Sequence, residues 1–485
     1  MLAKTINLLP LLAVIIISSA IFLTNLGANS LANWDEAWYA DASRFMYRNA
    51  HFLTPVWNGQ YFFDKPPLQY WLTQPFLYLI GEKEIAYRLP SALSGIALAG
   101  LMYLWGKEKF GAVGGVVPTV ILLSFPHLID RARSGNFDTL FILLTTASLW
   151  MFTKRKSAVG GLLLGLAWMT KGVFSGFFPP VVLGLFIIYE FVRYKNSELV
   201  RSFLIFMGVA ALVYVPWYIL EIGKFEQLIN ASYFATLDQG TFGPLDWMEI
   251  MWRFNLRYLV FLWTFLRWWF PVLLVGLVVK LKHLSRTLQA RGKIKPQLEL
   301  NDFLPLMVFS VVFLVLSAAK EKNDWYIMPA YPFLALIISD FATKLFPRQK
   351  ILTLFLVLAL AVGNIWFYKN QAFPGNRHLP EKEVALFVKS VTSPTDLIVT
   401  AEYEFPTLRY YSEREVRTAA PQPDYGGKYW WIFDAADIGT ALRYGRTIIT
   451  VHRPGTEWTI DVPDYRREKI GEINGRVVSR LVPVS

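Results

Sequence analysis

Apolar segments of membrane-spanning length recur along the first 370 residues of this chain, and they limit what it can fold into. A helix rises about 1.5 Å per residue, so about 20 apolar residues cross a hydrocarbon core about 30 Å thick. The pattern predicts a polytopic α-helical membrane protein with about eleven spans, the first of them retained rather than cleaved as a signal peptide. The predicted spans cover residues 6–27, 87–105, 112–129, 138–153, 158–170, 174–192, 202–220, 258–279, 303–319, 326–343 and 351–368.

The composition supports a membrane protein and excludes several kinds of site. Only 17% of the residues are charged, whereas a soluble domain carries about 25%. The chain has no cysteine, which excludes disulfides, thiolate metal sites and cysteine nucleophiles. Its five histidines are scattered without the spacing of metal ligands, so no metal site is expected.

The charges alternate from one connection to the next and so predict an orientation. Every second connection is basic, including residues 154–156, 280–295 and 344–350, while the other connections carry most of the acids. Basic connections lie on the cytoplasmic side of a membrane. The N-terminus is therefore predicted to be cytoplasmic, in the plasma or inner membrane. The formal net charge of +12 follows from this asymmetry and indicates no nucleic-acid partner.

Residues 371–485 differ in character from residues 1–370, the predicted transmembrane catalytic domain. They contain no apolar run of membrane length, and short β-rich stretches alternate with helix-like pieces. Turn signals such as Asn474-Gly475 separate these stretches. The pattern predicts a small α/β domain, which an odd number of spans places on the extracytoplasmic side. Its expected role is a structural cap or a platform for an acceptor.

The first outer loop, residues 28–88, is long for a simple connection and rich in aromatic residues. Residues 37–49 place apolar side chains on one helical face and charged ones on another, which predicts an interfacial amphipathic helix. Asp35 and Glu36 stand at the N-terminus of that helix, where negative charge is favoured by about 0.3–1 kcal/mol. The two acids are therefore either helix-capping residues or members of a site.

Other charged groups lie at the outer ends of several predicted spans, and one lies within a span. Ionisable groups at membrane depth are costly and usually face a cavity, so a shared cleft of carboxylates and cations is expected. Cations suit a phosphate group, and a carboxylate suits the removal of a hydroxyl proton. This combination suits a hydroxyl that attacks a carbon bearing a phosphate leaving group. Charge placement alone adds the substrate-binding candidates Arg133, Lys171, Arg267, Lys320 and Lys322.

Several motifs of the predicted transmembrane domain resemble those of a known superfamily. They are Asp35-Glu36 with Tyr39-Ala40, Lys65-Pro66-Pro67-Leu68 with Tyr70-Trp71, Asp138 at the start of a span, Thr170-Lys171-Gly172, and Tyr326-Ile327-Met328-Pro329-Ala330-Tyr331-Pro332. In this order they resemble the ArnT/protein O-mannosyltransferase (PMT) superfamily, which comprises GT-C fold glycosyltransferases that use polyprenyl-phosphate sugars. The resemblance covers roughly residues 1–370 and implies the GT-C fold for them.

The resemblance also implies a role for each matching residue. Asp35 would be the base that activates the acceptor hydroxyl, with Glu36 orienting the substrate and Asp138 lining the same cavity. Lys65 would bind the donor phosphate, with Tyr326 nearby. Direct attack at the anomeric carbon would invert its configuration. The reaction would require no metal and no cofactor, only a polyprenyl-phosphate sugar as the donor.

Two other functions stay open from the sequence. A transporter or flippase of lipid-linked sugars would bind phosphate with the same cations and use Asp35 as a proton relay, although no inverted repeat is visible in the membrane part. A non-catalytic scaffold would depend on neither Asp35 nor Lys65. The expected partners are membrane lipids, the polyprenyl-phosphate sugar and a lipid, glycan or protein acceptor. Trp38 stands where relatives often carry arginine, so neither the sugar nor the acceptor is named by the sequence.

Overall fold

A computed structural model describes this protein over residues 8–224, 256–289, 296–319, 322–345, 348–369, 380–401, 405–419 and 432–484. The part before residue 370 consists mainly of helices. They are α1 (Leu9–Leu23), α2 (Asp35–Asn49), α3 (Leu68–Ile80), α4 (Glu84–Gly114), α5 (Val116–Leu123), α6 (Pro126–Ala132), α7 (Asp138–Thr153), α8 (Ser157–Ser175), α9 (Phe178–Tyr194), α10 (Ser197–Glu221), α11 (Arg257–Leu266), α12 (Phe270–Gln289), α13 (Pro296–Ala318), α14 (Tyr331–Leu345) and α15 (Lys350–Phe367). Short 3-10 helices follow α10 at Ile222–Lys224 and precede α14 at Asp324–Ala330.

Six helices in the described ranges are long and apolar enough to cross a membrane. They are Glu84–Gly114, Ser157–Ser175, Ser197–Lys224, Leu300–Ala318, Asp324–Leu345 and Lys350–Phe367, and the shorter helices Leu9–Leu23, Asp138–Thr153 and Arg257–Leu266 are also apolar. The prediction of a multi-pass helical membrane protein is confirmed by these helices. The count of about eleven spans stays a prediction.

Two of the predicted spans are interrupted in the structure. The span predicted at 112–129 is divided between α5 and α6, because the residue before Pro126 is extended and a proline does not continue the preceding helix. The span predicted at 258–279 is divided between α11 and α12, and the second residue of α12 is Pro271. The first interruption affects the surroundings of Asp35, because α6 carries Arg131, which lies near that carboxylate.

The membrane helices pack closely around one large apolar core that includes residues of α4 to α15, such as the fully buried Trp105 and Tyr331. Glycines allow close approach where α8 meets α10. A Cβ atom at Gly161 would lie 2.2 Å from the backbone oxygen of Phe206. In lipid, helices are held together by such close packing rather than by exclusion of water. The framework around the site is therefore a tightly packed bundle.

The C-terminal domain contains a five-stranded sheet with the strand order β4-β3-β5-β7-β6. The strands are β3 (Leu397–Thr400), β4 (Glu415–Thr418), β5 (Ile448–His452), β6 (Tyr465–Ile473) and β7 (Arg476–Pro483), with helices α16 (Pro380–Val391), α17 (Pro406–Ser412) and α18 (Ala435–Arg443) and a 3-10 helix at Glu457–Ile460. Strand β3 is parallel to β4 and β5, and β7 is antiparallel to β5 and β6. The predicted Asn474-Gly475 turn joins β6 to β7, with positive φ at both residues.

The first outer loop folds into α2, the hairpin β1 (Val56–Trp57) and β2 (Gln60–Tyr61), and α3. Helix α2 begins at Asp35, so the predicted position of the acidic pair at the helix N-terminus is confirmed. The charged face of this predicted interfacial helix is covered by protein over part of its length. Asp41 and Arg44 are buried, and Arg409 and Tyr410 of the C-terminal domain cover them. Helix α2 therefore contacts the C-terminal domain through its charged side chains.

Candidate active site

The N-terminus of α2 places Asp35 at the edge of a cluster of charged side chains. The residue before it, Trp34, has a φ of +65°, which side-chain-bearing residues rarely adopt. The side chain of Asp35 keeps 35% of its surface accessible, and its Oδ2 atom lies 3.7 Å from Nη1 of Arg131. Arg131 lies in the last turn of α6. A reactant can therefore reach a carboxylate that already faces a cation.

Arg131 links Asp35 to a second carboxylate, that of Asp138 at the start of α7. Nη1 of Arg131 lies 3.7 Å from Oδ2 of Asp138 as well. Oδ1 of Asp138 accepts a hydrogen bond of 2.6 Å from Nζ of Lys171, and both side chains are largely buried. The guanidinium carbon of Arg131 is 4.3 Å from the ring centroid of Trp325. Arg131 is thus held by two carboxylates and an aromatic face.

A second cation near Asp35, Lys65, is held by the first outer loop. Nζ of Lys65 donates to Oδ2 of Asp64 at 2.8 Å, and the hydroxyl of Tyr39 donates to the same oxygen at 3.0 Å. Tyr39 lies one turn after Asp35 on α2. Burial raises the pKa of Tyr39 well above its usual value, so this hydroxyl stays protonated and keeps donating. The loop therefore fixes the Lys65 ammonium through Asp64.

The neighbouring charges and the loss of water set the proton affinity of Asp35. Burial raises the pKa of Asp35, Arg131 and Lys65 lower it, and Asp64 and Asp138 raise it. The net result is a raised pKa, because desolvation and the two carboxylates outweigh the two cations. A carboxylate with a raised pKa that a reactant can reach is suited to general base catalysis.

Glu36 points away from this cluster, although it is the next residue along the chain. Its carboxylate is 3% exposed and faces Arg88, and it accepts backbone hydrogen bonds from Ala32 at 2.6 Å and from Gly135 at 2.8 Å. Burial by itself raises the pKa of Glu36, but Arg88 and the two N–H groups outweigh it, so the pKa is lowered. These contacts join Glu36 to the segment before α2, to Gly135 and to Arg88, and its implied role of orienting a substrate stays a prediction.

Two of the predicted cations lie outside the group around Asp35. Arg133 donates to the backbone oxygens of Ile21 at 2.7 Å and of Thr24 at 2.8 Å, and so binds the C-terminal end of α1. The guanidinium carbon of Arg267 is 4.8 Å from the ring centroid of Phe367. The structure therefore places Arg131, rather than Arg133, beside Asp35. It places Arg267 among aromatic rings of α11 and α15.

The remaining candidates belong to the connection between α13 and α14. Nζ of Lys322 donates to a backbone oxygen at the end of α13. Tyr326 is 36% exposed, and its ring centroid lies 5.9 Å from that of Trp325, the ring that contacts Arg131. Tyr326 is therefore a neighbour of the site. Lys320 lies outside the described residues.

Sequence reasoning did not assign two residues that the structure brings to the centre, Arg131 and Asp64. Both are charged residues of the predicted outer loops, which was the available signal. Arg131 and Arg133 are about 200° apart around a helix, so only one of them can face Asp35. The break between helices α5 and α6, just before Pro126, determines that Arg131 rather than Arg133 faces Asp35. Asp64 directly precedes Lys65, and the motif assigns a role to Lys65 only.

The chain is similar in sequence to glycosyltransferases and to proteins without a described function. Residues 64–219 match the family described as dolichyl-phosphate-mannose-protein mannosyltransferase. An uncharacterized protein of Aquifex aeolicus is 28% identical over 384 residues, which cover 74% of this chain and 69% of that protein. The undecaprenyl phosphate-α-4-amino-4-deoxy-L-arabinose arabinosyl transferase of Edwardsiella ictaluri is 26% identical over 329 residues, 64% of this chain. The alignment spans 55% of that transferase.

A solved structure shares the fold along almost the whole chain. The crystal structure of ArnT from Cupriavidus metallidurans bound to undecaprenyl phosphate superposes with a TM-score of 0.72 at 16% sequence identity. The superposition covers 97% of each chain. The resemblance that the first-loop motifs predict is therefore confirmed by sequence and by fold.

Proposed function

We propose that this ArnT-like, PMT-related chain of the GT-C fold is an integral membrane glycosyltransferase that moves a sugar from a polyprenyl-phosphate carrier to a cell-envelope acceptor. One observation carries the proposal: the accessible carboxylate of Asp35 faces Arg131 at 3.7 Å, and the charge of Lys65 also acts on it. A base beside two cations suits a hydroxyl that displaces a phosphate.

The donor phosphate binds to Arg131 and Lys65. Each cation–phosphate pair is worth about 4 kcal/mol at 4 Å with an effective dielectric constant near 20, before desolvation is subtracted. Arg131 is oriented by Asp138 and by the ring of Trp325, and Lys65 is oriented by Asp64. Because these partners fix both cations before the donor binds, little reorganisation is needed as charge develops on the leaving phosphate.

Asp35 removes the proton of the acceptor hydroxyl. The acceptor oxygen forms a bond to the anomeric carbon while the bond from that carbon to the phosphate oxygen breaks. The electron pair leaves with the phosphate, next to Arg131 and Lys65, and the proton remains on Asp35. Attack opposite to the leaving phosphate inverts the anomeric configuration.

The other acids of the motifs act by holding these groups in place. Asp138 fixes Arg131 and Lys171. Glu36 fixes the chain before α2 through Arg88. These steps require no metal ion.

The reaction takes place on the extracytoplasmic face of the inner membrane, where the predicted topology puts the first outer loop and the C-terminal domain. The ArnT structure that shares this fold contains undecaprenyl phosphate, so undecaprenyl-phosphate sugars are the first donors to test. The acceptor is a lipid, a glycan or a protein. Mass spectrometry of envelope lipids, glycans and proteins with and without this chain identifies it.

Sugar transfer by the purified full chain in detergent is the direct test. Wild-type protein is expected to transfer sugar from an undecaprenyl-phosphate donor to an envelope extract, and Asp35→Asn is expected to lose transfer while remaining folded. Asp461→Asn, a substitution of a 63% exposed acid in the C-terminal domain, is the matched control and should keep full activity.

The same assay separates the enzyme from a flippase. A detergent micelle has no two sides, so a protein that only moves lipid-linked sugars across a membrane would show no product there. Absence of product with every lipid-linked sugar tested would exclude the transferase, and full transfer by Asp35→Asn would exclude Asp35 as the base.

A further inference from the structure

The C-terminal domain contacts the segment of chain that leads into Asp35. Helix α17 is largely buried against the first outer loop. The hydroxyl of Tyr411 accepts a hydrogen bond of 2.8 Å from the backbone N–H of Leu31, and the backbone N–H of Thr407 donates to Oδ1 of Asn33 at 3.0 Å. Two hydrogen bonds from α17 thus hold positions four and two residues before Asp35.

The hydroxyl of Tyr411 is itself fixed by the start of α4. It donates to Oε1 of Glu84 at 3.0 Å, and Nζ of Lys382 donates to the same oxygen at 2.6 Å. Nζ of Lys382 also lies 4.8 Å from the ring centroid of Tyr411. Tyr411 therefore connects a membrane helix, the C-terminal domain and the chain before α2 through one oxygen atom.

The segment that Tyr411 holds contains a strained residue. Trp34 lies between Asn33 and Asp35 with a φ of +65°. Such a conformation is strained and persists only where the surroundings fix it. Arg88 fixes the segment from the membrane side, because it donates to the backbone oxygens of Asn29 and Ser30. Helix α17 fixes it from the opposite side.

We propose that the C-terminal domain positions the base, and that Tyr411 is the positioning residue through which it acts. The inference rests on the proposed function and extends it to the C-terminal domain, none of whose described residues takes part in the proposed steps. Without the Tyr411 hydroxyl, the N–H of Leu31 loses its partner and Trp34 can relax to a common conformation. Asp35 then moves relative to Arg131, which lies 3.7 Å away in the intact protein.

Tyr411→Phe in the full chain tests this role, because it removes both hydrogen bonds and keeps the ring. The kcat of sugar transfer is expected to fall by about 10- to 100-fold, since a misplacement of about 1 Å can cost about 10²-fold. The KM for the lipid-linked donor is expected to stay near the wild-type value, because Lys65 and Arg131 are untouched. Tyr444→Phe is the matched control, since Tyr444 is 85% exposed at the end of α18.

Three further variants separate positioning from a general loss of structure. In an Asp35→Asn background, Tyr411→Phe should not lower the small residual rate of transfer any further, because a residue that acts through Asp35 is not additive with it. Asn33→Ala should reproduce the loss of kcat, and Asn33→Asp, which keeps the acceptor for Thr407, should restore it. Wild-type kcat in Tyr411→Phe, or an equal loss in the Asp35→Asn background, would overturn the proposal.

Hydrogen exchange of the full chain gives a readout that does not depend on activity. The amides of residues 30–35 are expected to exchange faster in Tyr411→Phe than in the wild type or in Tyr444→Phe. If exchange increases but the wild type transfers no sugar, the proposed function fails and the structural coupling stands. If exchange in this segment is unchanged, the positioning role of Tyr411 is wrong whatever the activity.

Discussion

The side chains of Glu36 and Arg88 form a buried ion pair with two contacts, 2.7 Å between Oε1 and Nε and 3.0 Å between Oε2 and Nη2. Arg88 also donates to the backbone oxygens of Leu26, Asn29 and Ser30. Glu36 is 3% exposed, whereas the side chain of its neighbour Asp35 is 35% exposed. Two adjacent acids therefore differ in their surroundings: Glu36 is buried against Arg88, and Asp35 is accessible to a reactant.

We predict that Glu36→Gln destabilises the protein, whereas Asp35→Asn does not. Removing one partner of a buried ion pair costs about 3–5 kcal/mol, because the other charge stays buried without compensation. The fold lowers the pKa of Glu36, so the ionised form stabilises it at neutral pH. The fold raises the pKa of Asp35, so its ionised form is disfavoured and a neutral amide is tolerated. Thermal unfolding in detergent, followed by tryptophan fluorescence at pH 7, measures both variants.

The unfolding temperature of Glu36→Gln is expected to lie well below that of the wild type. The unfolding temperature of Asp35→Asn is expected to equal or exceed it. Glu36→Gln with wild-type stability would show that the ion pair is not required. A large drop for Asp35→Asn would show that Asp35 is a structural acid.

The activity is predicted to fall at low pH as Asp35 becomes protonated. A base acts in its ionised form, so kcat should be full above the pKa of Asp35 and should decline as the pH falls through it. Since this pKa is raised, the decline should begin at a higher pH than for an ordinary aspartate. Arg131 lowers the pKa of Asp35. Arg131→Gln should therefore shift the acid limb of the kcat profile to higher pH, measured at saturating donor.

A shift of that limb to lower pH in Arg131→Gln would contradict the assignment of the base. The Asp461→Asn variant, altered far from the cluster in the C-terminal domain, should keep the wild-type profile.

Arg131 and Arg133 form a matched pair for testing which cation binds the donor. Arg131→Gln is predicted to raise the KM for the lipid-linked donor by about tenfold or more, because a hydrogen bond to a charged group is worth about 1.5–3 kcal/mol. Arg133→Gln is predicted to leave that KM unchanged and to lower the unfolding temperature, since Arg133 binds the end of α1. The reverse result would return the phosphate-binding role to Arg133.

The sequence predicts the membrane helices, the GT-C resemblance and most of the cluster, because period, length and charge placement are local properties. Asp35 and Lys65 belong to the predicted first outer loop, and Asp138 and Lys171 stand at predicted outer ends of spans, so a common location follows from the predicted topology. Which of two adjacent acids faces a reactant does not follow, because it depends on Arg88, which lies 52 residues after Glu36.

The contacts of the C-terminal domain with α2 and with the segment before it also cannot be predicted from local sequence patterns. Leu31 and Tyr411 are 380 residues apart, and their hydrogen bond joins a backbone amide to a hydroxyl without any motif. The charged face of α2 has the pattern of a helix at a membrane surface. Arg409 and Tyr410 occupy that face instead of water, which only the folded chain reveals.

Lys65→Ala and Asp64→Asn are predicted to have different effects on the binding of undecaprenyl phosphate. Lys65→Ala should weaken binding of undecaprenyl phosphate by about tenfold or more, since it removes a hydrogen bond to a charged group worth about 1.5–3 kcal/mol. The Asp64→Asn variant should bind undecaprenyl phosphate as tightly as the wild type or more tightly, because the substitution removes a negative charge beside the phosphate. Its kcat should nevertheless fall, because Lys65 and Tyr39 both lose the carboxylate that orients them. Titration of the purified variants with undecaprenyl phosphate, together with kcat at saturating donor, measures both effects. Equal weakening of binding in the two variants would show that Asp64 binds the donor itself rather than orienting Lys65.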